Sequence, residues 1–268
     1  MPRTARASEG GLCYHVLNRG NARAEVFHDR TDYEAFLDAM AESNVRLPVR
    51  VLAYCLMPNH FHLVLWPVGD GDLSRWMHWL TTTHVRRYLA RYHHSGHVWQ
   101  GRFKAFPVQD DGHLLAVLRY VERNPLRAGL VPRAEDWPWS SLHTDQTKTG
   151  PRLAPGPVPR PSDWVERVNQ AMSGAEDEAV RNAIRRGAPL GSEPWVRQTA
   201  EPGVHTTRTR PSRPVRAVSR EPCPLLVSPE NLRRSGAPFP SDHQEEPSRP
   251  MFPTSRQVDP GRAWSRRC

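Results

Sequence analysis

The 268-residue chain is 38% hydrophobic, carries a formal charge of +9 and holds four scattered cysteines. Its length suits one large or two small domains, and with no run of about 18 apolar residues it offers no candidate membrane-spanning helix. Cys13, Cys55, Cys223 and Cys268 form neither a Cys-x-x-Cys pair nor a disulfide framework, and no apolar segment follows the basic residues 1–7, so a reducing, cytosolic setting is expected rather than export.

The isoelectric point is about 10.0. Of the 37 basic residues only Lys104 and Lys148 are lysines. Such an arginine surplus favours polyanionic partners, because the planar guanidinium meets a phosphate with two parallel hydrogen bonds.

Residues 10–18 have the β-branched and aromatic content of a strand, and Asn18-Arg19-Gly20-Asn21 supplies the turn that ends it. Thr31 or Asp32 can cap a helix in which Tyr33, Phe36, Leu37 and Met40 recur at helical spacing, and Pro48 stops it. Residues 49–55 read as a second strand, residues 56–59 as a connection of hairpin length, and residues 60–66 as a third strand. Asp72 opens a second helix with Leu73, Trp76, Met77, Leu80 and His84 on one face.

After the break at Ser95-Gly96-His97, residues 98–108 resume strand character, with Trp99 and Phe103 interleaved with Arg102 and Lys104. Such a strand can stack bases and hold backbone phosphates. Residues 113–123 form a third helix whose buried stripe is Leu114, Val117, Leu118 and Val121, and Pro125 is expected to end it. Trp137-Pro138-Trp139-Ser140-Ser141 closes this compact region.

The expected organisation is a catalytic domain over 1–143, a Pro/Gly/Thr-rich linker over 144–161, a small helical appendage over 162–199 and a tail over 200–268. Beyond residue 200, 12 of the 27 prolines and 12 arginines against 7 acidic residues predict a disordered segment able to anchor on nucleic acid.

Chemistry concentrates in two places. Alternation along the third strand puts His60 and His62 on one side and Phe61, Leu63 and Leu65 on the other. Helical spacing puts Tyr120 and Asn124, four residues apart, on one face. If strand and helix pack together, two imidazole nitrogens and an amide oxygen form a neutral N/O set with open positions, which suits Mg²⁺ or Mn²⁺ more than structural zinc. Tyrosine can attack a phosphate so polarised, splitting strand transfer into two steps. No residue stands out as the base for its proton.

On these residues the chain resembles the single-tyrosine HUH transposases, most closely their REP-associated branch. The resemblance covers residues 2–142 and rests on five ordered motifs: Tyr14-His15-Val16 with Asn18-Arg19-Gly20-Asn21; Met57-Pro58-Asn59-His60-Phe61-His62; Gly96-His97-Val98-Trp99-Gln100-Gly101-Arg102-Phe103-Lys104; Tyr120 with Asn124-Pro125-Leu126-Arg127-Ala128-Gly129-Leu130; and Trp137-Pro138-Trp139-Ser140-Ser141. It implies an α+β fold, a ferredoxin-like sandwich with a central antiparallel sheet and helices packed on it. It further implies that His60, His62 and Asn124 bind a divalent metal, Mg²⁺ or Mn²⁺, and that Tyr120 becomes linked to a DNA 5′-phosphate, leaving a 3′-hydroxyl.

The implied substrate is single-stranded DNA with hairpins, in this branch repetitive extragenic palindromes. By position and charge, Arg3, Arg6, Arg19, Arg23, Arg102 and Lys104 are expected to hold that DNA. A monomer is expected from the branch, and a homodimer from relatives whose tyrosine serves the partner's site; the expected location is the bacterial cytoplasm, at the nucleoid. Two other classes fit the residues read alone. One is a single-stranded nucleic-acid-binding module presenting Tyr14, Trp99 and Phe103 without cleavage, and the other is a metal-dependent phosphohydrolase that uses water.

Overall fold

The computed structural model describes residues 8–93, 95–143 and 150–200. Arg3 and Arg6, most of the tail and the first part of the expected linker lie outside the described residues. Strands β1 (Cys13–Arg19), β2 (Val49–Met57), β3 (His60–Pro67) and β4 (Lys104–Val108) form one antiparallel sheet in the order β2-β3-β1-β4. With helices α1 (Arg30–Arg46) between β1 and β2 and α2 (Asp72–Tyr92) between β3 and β4, this is the ferredoxin-like sandwich.

The helices begin and end for local reasons. Asp29, rather than Thr31 or Asp32, caps α1: its carboxylate accepts from the backbone N–H of Thr31 and Asp32. The helix ends before Pro48, and its apolar stripe of Tyr33, Phe36, Leu37 and Met40 is buried. In α2 the expected face of Leu73, Trp76, Met77, Leu80 and His84 is buried in full. Both stripes pack on the sheet face formed by Tyr14, Val16, Phe61, Leu63 and Leu65.

Residues 98–108 do not form one long strand. Only Lys104–Val108 pairs with β1, while Trp99 makes a single bridge to Gly20. Tyr14, Trp99 and Phe103 are 3%, 6% and 9% exposed, so these rings belong to the core and cannot stack bases. The indole of Trp99 packs among Phe27, Phe36, Phe61 and His84, where removing it from water outweighs any surface role.

The other sheet face receives α3 (Gly112–Glu122) through Leu114, Val117, Leu118 and Val121. Pro125 does not stop the helical path. It lacks the N–H that would bond Val121, so the ladder is interrupted, but Arg123 stays right-handed and a further turn follows as α4 (Asn124–Arg127), with Pro in the first turn, where it is tolerated. Tyr120 and Asn124 therefore remain on one continuous face.

The chain after residue 150 completes this second core. Trp164 and Val168 of α5 (Trp164–Asn169), Val180 and Ala183 of α6 (Gly174–Arg186), and Leu190 pack with α3 and with Cys13, Leu52 and Val64 of the sheet; α7 (Glu193–Ala200) follows. Single bridges from Ser140 and Leu153 to β2 and from Leu190 to β4 occupy backbone groups on both sheet edges.

Candidate active site

The site lies on the sheet face covered by α3. Because β3 alternates, burying Phe61 and Leu63 against α1 and α2 turns His60, His62 and Val64 toward α3. Strand pairing then adds a residue that spacing along the chain does not reveal. In β1, Tyr14 and Val16 face α1 and α2, so His15 faces α3, and its Nε2 lies 2.9 Å from His62 Nδ1, with the two rings stacked at 5.1 Å. His60 and His62 have ring centroids 5.1 Å apart.

α3 brings Tyr120 onto this cluster. Its ring meets that of His62 edge-on at 5.9 Å and that of His15 at 6.1 Å. Arg127, about two turns further on, donates from Nη1 to the Tyr120 hydroxyl at 3.1 Å and from Nη2 to Asn124 Oδ1 at 3.1 Å. Its guanidinium also lies 4.5 Å from the Tyr120 ring centroid. Asn124 is buried, and its Nδ2 has no hydrogen-bond partner among the described residues.

Tyr120, His62 and His60 are thus brought together, with Asn124 joined to Tyr120 through Arg127. His15 and Arg127 carry no signal in spacing along the chain. Strand pairing of His15 and the extra helical turn past Pro125 are what bring them in.

Among the expected DNA-holding residues, Arg19 pairs in register with His60. Lys104 pairs with Leu17, which pairs with His62, so two strand spacings of about 4.8 Å each separate Lys104 from the histidine. Arg102 and Lys104 are both exposed. Arg23 sits in a short 3-10 turn, Asn21–Arg23, in which Ala22 and Arg23 both hold left-handed backbone, at φ 51° and 63°. Such a pair costs energy without glycine and is held here from outside, by the Asn59 side chain donating to the Arg23 carbonyl at 3.2 Å. Gly20 is required beside it, because a Cβ there would run into the Ala24 carbonyl oxygen.

The imidazoles are prepared as neutral donors. Burial, followed by the Arg19 and Arg127 charges, pushes His60 down to about 3. Burial alone does the same for His15, to about 3. His62 is held well below the usual histidine range by burial and then by His15, His60, Arg127 and Arg19. His60 Nδ1 meets the acceptor Asn59 Oδ1 at 2.6 Å, which leaves its Nε2 as the lone pair; His62 Nδ1 meets His15 Nε2, and His62 Nε2 is a lone pair in the tautomer in which Nδ1 donates to His15. Among the described residues no three His, Cys, Asp or Glu side chains converge on one point, so a third protein donor would have to be an amide oxygen, here Asn124 Oδ1, which in this structure accepts from Arg127. This set of two neutral imidazoles and an amide fits a divalent ion that keeps open positions.

The same burial makes stability depend on pH. The folded-state values of His15 and His60 lie below the unfolded value of 6.5, so the stability held by their neutral forms is intact above pH 6.5 and is lost as pH falls toward 3. Metal-free protein is expected to show a melting temperature that declines over that window, less steeply in His15→Gln; a flat profile between pH 6.5 and 4 would contradict neutral burial.

Residues 9–124 match the family model described as transposase, IS200 like. A REP-associated tyrosine transposase of Haemophilus influenzae is 30% identical over 155 residues, covering 52% of this chain and 83% of that protein. Its counterpart in Escherichia coli is 26% identical over 169 residues, covering 62% of this chain and 92% of that protein. A solved structure of a REP-associated tyrosine transposase bound to a REP hairpin aligns with a TM-score of 0.45 and 24% identity, covering 54% of this chain and 85% of that one.

Proposed function

The chain belongs to the REP-associated tyrosine transposase family, and from that premise we propose that it nicks and rejoins single-stranded hairpin DNA of palindromic repeat elements through Tyr120. The observation that supports this most directly is the contact of the Tyr120 ring with His62 while its hydroxyl is held by Arg127. Family membership supports a DNA substrate, and Arg19 and Lys104 on the strands beside the histidines, with Arg23 and Arg102 exposed, support backbone contact. The reading places the protein in the cytoplasm, at the nucleoid.

In this mechanism the phenol oxygen attacks phosphorus, the bond from phosphorus to the 3′ oxygen breaks, and a 5′-phosphotyrosine forms. The leaving 3′ oxygen takes up the proton that the phenol gives up, so the step is balanced. Arg127 orients the hydroxyl and sets a positive charge beside the phosphate as negative charge builds on it. His60, His62 and Asn124 would hold Mg²⁺ or Mn²⁺, which when bound supplies Lewis-acid polarisation of the phosphodiester. His15, by accepting from His62 Nδ1, would keep His62 in the tautomer that leaves Nε2 available.

The test is denaturing electrophoresis of the protein after incubation with a hairpin-bearing single strand and Mg²⁺ or Mn²⁺. A protein–DNA adduct and a free 3′-hydroxyl end are expected. Cleavage without adduct would replace the reading with a water-using phosphohydrolase, and binding without cleavage would replace it with a binding module.

A further inference from the structure

A cavity opens directly beside Tyr120, and the chain beyond residues 9–124 builds most of it. A space of about 220 Å³, several times the roughly 30 Å³ share of one liquid water, lies between Tyr120, Arg123 and Arg127 on one side and the start of α6 on the other, with Asp177 and Arg181 in its wall. Three guanidinium groups face one carboxylate there.

The single carboxylate is shared unequally. Asp177 Oδ2 pairs with Arg181 Nε at 2.8 Å, whereas its Oδ1 stands 3.8 Å from Arg127 Nη1, beyond hydrogen-bond distance. Arg123 spends Nη1 on the carbonyls of Val168 and Asn169 at 2.8 and 2.6 Å, which holds its charge at the cavity without a carboxylate hydrogen-bonded to it among the described residues. Burial, and then the neighbouring Arg119 and Arg127 charges, lower its pKa from the ordinary arginine value, while Asp177 opposes the shift. An anion with several acceptor oxygens would relieve this crowding better than one loosely placed carboxylate.

We infer that the cavity between Tyr120 and α6 is a binding site for a DNA backbone phosphate next to the one that is cleaved, and that Asp177 keeps the place of that phosphate on Arg127 and Arg181 in the free protein. This rests on the reading of Tyr120 as the residue that meets DNA. Arg127 then links the two positions: one nitrogen reaches the attacking hydroxyl, and the same group faces the cavity. Residues 171–181 become part of the substrate path.

The test uses the full-length protein and an eight-nucleotide oligothymidylate, with affinity measured across a salt series. Arg181→Gln is expected to weaken binding and to flatten the slope of log affinity against log salt by about 0.7, the loss of one phosphate contact on a single strand. Asp177→Asn, which removes the competing charge, is expected to tighten binding about fivefold. Both side chains are partly exposed, and matching thermal unfolding curves establish that the variants fold. An unchanged slope in Arg181→Gln, or unchanged or weaker binding in Asp177→Asn, overturns the site. Adduct formation on a hairpin strand is scored separately with the same proteins: cavity responses without adduct leave the phosphate site standing and remove the covalent chemistry, and adduct with unchanged responses does the reverse.

Discussion

Tyr120→Phe is expected to bind hairpin DNA as the wild type does and to form no covalent adduct. The substitution removes one oxygen and keeps the ring that packs against His62 and His15. Its structural cost is the hydrogen bond from Arg127, about 1 kcal/mol, which a folded domain of this size absorbs. Loss of the adduct would therefore report chemistry rather than collapse. Arg127→Met supplies the graded counterpart: it keeps an unbranched apolar side chain but cannot orient the hydroxyl or face the phosphate charge, and adduct formation is expected to slow by about 10²-fold. Arg127→Lys should recover little of this, because a single ammonium lacks the fork that reaches both Tyr120 and Asn124. Denaturing gels over a time course measure all three. An adduct that persists in Tyr120→Phe would remove Tyr120 from the mechanism.

The second large effect is expected in stability, at Glu122. This carboxylate is fully buried, two residues from both Tyr120 and Asn124, and accepts from Ser141 Oγ at 2.7 Å, Trp164 Nε1 at 2.7 Å and Arg160 Nη2 at 3.1 Å. Ser141 in turn accepts from the Tyr54 backbone of β2 at 3.0 Å, and Arg160 also donates to the Leu52 carbonyl at 2.9 Å. One carboxylate thus ties α3 to the sheet, to the Trp137–Ser141 turn and to the start of α5. Burial pushes its pKa up while Arg160, Ser141 and Trp164 pull it down; burial is the larger effect.

Glu122→Ala leaves a buried indole N–H without its acceptor and a partly buried guanidinium without its counter-charge, at a cost of about 3–5 kcal/mol. For a chain of this size that is a drop in melting temperature of roughly 10 °C. Thermal and urea unfolding would measure it, and a loss under about 1 kcal/mol would show that the network adds nothing net to stability. Since the same network holds α3, with Tyr120, against the sheet at β2, the variant should also lose adduct formation at temperatures where it is still folded.

Much of this architecture is written in short-range pattern. The stripe of Leu73, Trp76, Met77, Leu80 and His84, the stripe of Leu114, Val117, Leu118 and Val121, and the alternation of His60-Phe61-His62-Leu63 each identify an element and its buried side without reference to any other part of the chain. Period is a local property, and burial of one face follows from it. Two local readings fail for one reason: the 98–108 stretch has strand composition and Pro125 carries a breaker's signature, yet neighbours decide both. The Trp99 ring is claimed by an aromatic core, and the helical path continues past Pro125 because the missing N–H falls where a helix begins anew.

By itself, then, the sequence determined the strand–helix order, the two core faces, and the pairing of His60 with His62 and of Tyr120 with Asn124, since each is set by the repeat of a single element. Only the tertiary structure decided that His15 stands behind His62, that Arg127 holds the Tyr120 hydroxyl, that Glu122 gathers Ser141, Arg160 and Trp164, and that α6 closes a cavity beside the tyrosine. These contacts join residues up to 47 positions apart through His15 and His62 and up to 42 through Glu122 and Trp164, and they exist only once sheet register and helix docking have been fixed by burial of the apolar faces.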